Sequence, residues 1–155
     1  MQLTPHFTDA ELGVQLRAGY GATPQQFENA AQLCSVLLEP IREHLNGPIS
    51  LSCGYRPPAD NEGTGGASNS QHLYLGLNSA ADMDKMPVSF QEAFDWIRLE
   101  SHLDFDQLIL EKSKATGLDA CVHISYNGAL AVQRREALVG ETHGTGKYTR
   151  VQVNP

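Results

Sequence analysis

The chain has 155 residues, 41% of them hydrophobic, a size that suits one domain spanning 1–155 with a core large enough to stand without disulfide staples. Its 18 acidic side chains outnumber 11 basic ones, and the net charge of -7 argues against nucleic acid and anionic membrane surfaces as partners. No stretch approaches the ~20 apolar residues of a membrane span.

Three cysteines, Cys34, Cys53 and Cys121, follow no regular spacing, and their odd number speaks against a paired secreted framework. The first residues lack both a basic region and an apolar one, so the expectation is synthesis in the cytoplasm without an export signal. Repeats and low-complexity tracts are absent.

In chain order, Thr8-Asp9-Ala10-Glu11 and Thr23-Pro24-Gln25-Gln26 both have capping-box form, and each is expected to open a helix. After the second cap, Phe27, Ala30, Ala31, Cys34, Leu37, Leu38, Ile41 and Leu45 recur at three- and four-residue steps. They predict one apolar stripe that stops at Asn46-Gly47-Pro48. Ile49, Leu51, Cys53 and Tyr55 then alternate with small polar residues, the period of a half-buried strand. Residues 57–69 are rich in Asp, Asn, Gly and Ser and read as a loop.

Ser79 to Asp84 fits a short strand with Ala81 and Met83 inward, and Ser89 caps a helix carrying Phe94, Trp96 and Ile97. Phe105 to Glu111 and Ala120 to Tyr126 read as two strands joined by a turn, and a last pair is expected around Leu130 to Arg134 and Tyr148 to Val153. Helices first and short strands later predict an α+β domain, its helices packed on a small mixed or antiparallel sheet.

The chemistry concentrates in Ser70-Gln71-His72, in Asp82 ten residues further on, and in His123 within Val122-His123-Ile124-Ser125. Two imidazoles and one carboxylate give Zn²⁺ three protein ligands and leave a fourth position open, the pattern of catalytic zinc. Alternation puts Val122 and Ile124 in the core and His123 on the opposite face; antiparallel pairing then sets Glu111 beside Cys121 and diagonal to His123. Glu111 is the expected general base, taking a proton from water and returning it to a leaving amine. Asp119 competes for that role, but along an extended strand it lies about 13 Å from His123. Arg56, at a strand end beside the glycine-rich loop, is placed to bind a substrate carboxylate or an oxyanion, and Ser70 and Gln71 to hydrogen-bond substrate or support a ligand. Asp84 is a candidate acceptor for a ligand imidazole.

Ser52-Cys53-Gly54-Tyr55-Arg56-Pro57-Pro58, Gly65-Gly66-Ala67, Ser70-Gln71-His72, Ala80-Ala81-Asp82, Phe105 to Glu111 and Val122 to Tyr126 together resemble the zinc D-Ala-D-Ala carboxypeptidase family, particularly its compact phage-type members. The likeness runs in order from residue 3 to about residue 150. It implies the small α+β fold shared with hedgehog-type domains, His72, Asp82 and His123 as zinc ligands, and Arg56 as a substrate contact. The implied substrate is a peptidoglycan stem peptide, cut at a D-Ala-D-Ala or L-Ala-D-Glu type bond by a phage endolysin or virion-associated wall hydrolase. Glu111 matches the phage-type subgroup, while Ala120 stands where many relatives carry the catalytic acid. The interval from His72 to Asp82 is longer than usual and requires Leu77-Asn78-Ser79 to bulge out as a loop. The alternative is a domain that keeps the fold but serves as a virion component or wall-binding module.

Overall fold

The computed structural model describes residues 1–16, 21–141 and 147–155. Its frame is a six-stranded mixed sheet in the order β1-β2-β4-β3-β5-β6, built from Ser50–Cys53 (β1), Asn78–Lys85 (β2), Gln107–Lys112 (β3), Asp119–Asn127 (β4), Glu136–Glu141 (β5) and Tyr148–Val151 (β6). Every neighbouring pair is antiparallel except β3 and β5, which run parallel.

Thr23 closes the expected capping box and opens α1 (Pro24–Leu33). The helical path continues through a wide π turn at Cys34–Leu38 into α2 (Glu39–Leu45), where Asn46 ends it in the left-handed conformation. The wide turn has a local cause in Pro40. Proline lacks an N–H, and its ring crowds the carbonyl four residues back, here that of Val36 inside the π segment. The stripe along this path (Ala30, Leu33, Leu37, Leu38, Ile41) is fully buried.

Ser89 accepts from the Glu92 N–H and starts α4 (Phe90–Leu99), which brings Phe94 and Ile97 onto the same core. The sheet answers from one face with Ala81, Met83, Leu108, Leu110, Val122 and Ile124, all 0% exposed. With one face of the sheet so covered, the pleat sends the alternate residues of β2, β3 and β4 to the other side.

Four expectations change. The Thr8–Glu11 box does form, with Thr8 N–H donating to Glu11 and Glu11 N–H donating to Thr8 Oγ1, yet only turns follow, because Gly13 takes φ +70° and redirects the chain. The loop before His72 contains a short helix, α3 (Pro58–Gly63), for which Pro58 supplies a preset first turn. The strand expected at Leu130 to Arg134 begins instead at Glu136, since Asn127 and Gln133 tie that stretch into a loop. Finally, the extra length between His72 and Asp82 turns out at residues 74–77, where Tyr74 and Gly76 take positive φ, while Asn78 and Ser79 already belong to β2.

Candidate metal centre and cleft

One row of cross-strand partners lays out the floor of the site: Cys53 on β1 faces Asp82 on β2, Asp82 faces His123 on β4, and His123 faces Ile109 on β3. His72 comes from a separate element, a single 3₁₀ turn at Gln71–Leu73 capped by Ser70, whose Oγ accepts from the His72 N–H. This turn is anchored to the end of β1 by Arg56 N–H donating to the His72 carbonyl at 2.8 Å. The three sequence candidates therefore meet. Asp82 Oδ2 lies 3.3 Å from His72 Nε2, Asp82 Oδ1 lies 2.9 Å from His123 Nδ1, and the ring centroids are 5.1 Å apart.

The far nitrogen of each ring is already engaged. His72 Nδ1 donates to the Gly54 carbonyl at 2.7 Å, and His123 Nε2 donates to Gln71 Oε1 at 3.1 Å. A neutral imidazole that donates through one nitrogen presents a lone pair at the other. Once free of their protons, the two inward nitrogens join the Asp82 carboxylate as three acceptors turned on one another, an arrangement that a cation satisfies. This donor set fits zinc.

Protons compete with a cation for these atoms, so binding of the cation must release them. Burial works against ionising Asp82, yet hydrogen bonds from His123 and His72 outweigh it and hold the carboxyl below the usual carboxylate range. Burial also opposes a charge on His72, but hydrogen bonds to Asp82 and Cys53 raise its pKa to about 10. For His123, burial prevails and lowers the pKa.

Cys53 is a neighbour that the sequence pattern hides. Period-two alternation places it on the core face with Leu51, but a bulge between the two sets Leu51 opposite Met83 and Cys53 opposite Asp82. Cys53, His72 and Asp82 offer potential ligand atoms within 4.8 Å of one another. Its sulfur, however, sits 3.4 Å from His72 Nδ1, the nitrogen that already donates to Gly54. The acceptor side of the ring looks toward Asp82, so His123 completes the better donor set. Cys53 and Cys121 lie on β1 and β4 with β2 between them, hence not on neighbouring strands, and all three cysteines are free thiols.

These residues sit in an open cleft of about 660 Å³, whose walls include Arg56, Ser70, Gln71, Glu111, Arg134 and Tyr148. Glu111 faces Cys121 two residues along from the His123 row, on the same face of the sheet. Burial raises its pKa to about 7, against the opposing hydrogen bond of the Tyr148 hydroxyl, which donates to Oε1 at 3.2 Å. Tyr148 reaches Glu111 across Gly140, where a Cβ would stand 2.1 Å from the tyrosine ring. Asp119 is absent from the cleft and pairs with Lys112 at 3.1 Å. Arg56 makes two long contacts, 3.4 Å each, to Asn61 Oδ1 and Cys53 Sγ. Asp84 Oδ1 is buried without a hydrogen-bond partner among the described residues and reaches neither imidazole.

The buried amide of Asn61 was not legible as part of the site; its Nδ2 donates to the Ala67 carbonyl at 2.9 Å and holds the glycine-rich loop. Arg134 and Tyr148 on the cleft wall, and the buried Asp106 that Arg134 pairs with, were also missed, because distant parts of the chain bring them together.

A carboxylate between two imidazoles, at the floor of a cleft with a raised-pKa glutamate on its wall, is the equipment of a metal-dependent hydrolase. The chain matches Peptidase M15 over residues 5–124, most of its length, and it belongs to that family of zinc D-Ala-D-Ala carboxypeptidases. No curated protein matches the chain.

Proposed function

We propose that the protein is a zinc metallopeptidase that hydrolyses peptidoglycan stem peptides, at a D-Ala-D-Ala or L-Ala-D-Glu type bond. The observation that supports this most is the convergence of His72 Nε2, Asp82 and His123 Nδ1 in a cleft that also holds Glu111. Those three residues would hold the ion, which when bound supplies Lewis-acid polarisation of the scissile carbonyl.

Glu111 takes the proton from the attacking water and delivers it to the leaving amine, a role favoured by a pKa near working pH. The Tyr148 hydroxyl orients that carboxylate. Arg56 engages a carboxylate of the peptide, for which a guanidinium offers paired donors. Its long contacts to Asn61 and Cys53 leave it little to give up on binding substrate. Gln71 and Ser70 support the His72 turn and stand on the cleft wall beside the substrate path. The setting we favour is a phage or prophage endolysin or a virion-associated wall hydrolase.

Mass spectrometry of purified peptidoglycan after incubation tests the reading. Wild type is expected to release cleaved stem peptides, whereas His123→Ala and Glu111→Gln release none. Intact muropeptides with zinc-loaded wild type would instead favour a wall-binding or virion component.

A further inference from the structure

Behind His123, Gln71 links the ring to two side chains with no part in the chemistry described so far, Asp106 and Arg134. Asp106 is 2% exposed, and its carboxylate is gripped in two places by Arg134, Nε to Oδ1 and Nη2 to Oδ2, both at 2.7 Å. Gln71 Nε2 donates to Asp106 Oδ2 at 3.0 Å, and Gln71 Oε1 faces His123 Nε2 at 3.1 Å.

The donor and acceptor types allow only one direction along this chain. A guanidinium only donates, and an ionised carboxylate only accepts. Asp106 must therefore receive the amide N–H of Gln71, which turns the amide oxygen toward His123. An amide oxygen only accepts, so Gln71 calls for a hydrogen on His123 Nε2; Asp82 Oδ1, 2.9 Å from Nδ1, calls for one on the other side, and a cation between Nδ1 and Asp82 settles the ring proton on Nε2. The order is imposed from Arg134, half-exposed at the cleft wall, inward to the Gln71 amide oxygen.

We infer that Arg134, Asp106 and Gln71 are positioning residues that fix the tautomer and orientation of His123 and so set the metal affinity of the site. The inference rests on the metal reading given above. It adds residues from the β3 entrance and the β4–β5 loop to a site otherwise made of β2, β4 and the 3₁₀ turn. Outer partners of ligand imidazoles typically govern metal affinity by 10–100-fold, about the effect expected here.

Asp106→Ala removes a buried charge that also receives the Arg134 N–H, and risks the fold. Gln71→Leu breaks the chain at a residue outside the core and is the variant of choice. Two readouts apply: competition for zinc against a chelating dye, and imidazole ¹H–¹⁵N spectra of His123 with and without zinc. Wild type is expected to show a slowly exchanging hydrogen on Nε2 in the zinc-bound state. Gln71→Leu should lose that slow exchange and bind zinc about 10–100-fold more weakly at an unchanged melting temperature. Zinc-loaded wild-type His123 lacking a hydrogen on Nε2, or Gln71→Leu binding zinc as tightly as wild type, would overturn the inference. Wild type that takes up no zinc would refute the metal reading, while His123 nitrogen spectra identical in zinc-free wild type and Gln71→Leu would separately refute the positioning chain.

Discussion

At the scale of single residues, Glu111 carries opposing demands. Burial raises its pKa from 4.5 to about 7, so the folded protein holds that proton more readily than the unfolded chain does. The stability this contributes is complete at acid pH and is lost as the pH rises from about 4.5 to about 7. Glu111→Gln should therefore abolish cleavage yet raise the melting temperature of the zinc-free protein at pH 8, as read by thermal denaturation; a lower melting temperature there would contradict the assigned cause. A dication in the cleft favours the carboxylate, so the acid limb of activity should fall at or below about pH 7.

Much of the site was legible at this scale. His72, Asp82 and His123 sit in short motifs whose residue types specify the chemistry, and strand alternation alone put His123 on the open face. Cys53 was not legible, because one inserted residue in β1 reverses the face that period-two reading assigns to it. Asp106 and Arg134 escaped notice because a salt bridge between residues 28 apart leaves no periodic trace.

At the scale of elements, two glycines let strands and segments approach closely. A Cβ on Gly54 would stand 2.6 Å from the Leu12 carbonyl oxygen, and the Gly54 carbonyl is the acceptor that orients His72. Gly54→Ala is expected to cost about 1–3 kcal/mol by overpacking and to weaken zinc binding with it, measured by denaturant unfolding and chelator competition. Gly140→Ala acts differently. It displaces Tyr148 from Glu111, removes the hydrogen bond that favours the carboxylate, and should move the acid limb of activity to higher pH. Tyr148→Phe should reproduce that shift; a pH profile unchanged in both would remove Tyr148 from the mechanism.

The helices and most strands followed from their own sequence: the Thr23 box, the buried stripe, and the alternation of β2 and β4. What failed was where a local signal met a tertiary constraint. Thr8 forms its cap, but Gly13 ends the turn; Pro40 widens a helix that periodicity alone draws as continuous; the β4–β5 loop is tied by Gln133 before a strand can begin. The parallel partnership of β3 with β5 has no sequence signature, and for that reason the sheet could only be expected as mixed or antiparallel.

At the scale of the whole molecule, the net charge of -7 works against an anionic cell wall. Binding by charge attraction would weaken as salt rises, whereas here added salt should leave cosedimentation with purified walls unchanged or increase it. Strong binding at low salt that is lost at high salt would show a cationic docking surface at odds with this view. Without charge attraction to the wall, delivery to the substrate depends on local concentration or on a larger assembly, in keeping with the proposed virion or endolysin setting.

The central claim is that one ion is held by His72, Asp82 and His123 together. Elemental analysis of purified wild type beside His72→Ala, Asp82→Ala and His123→Ala measures it directly. The account predicts about one zinc per chain in wild type and far less in each variant at an unchanged fold. Wild type without zinc, or His123→Ala retaining a full complement, would contradict it.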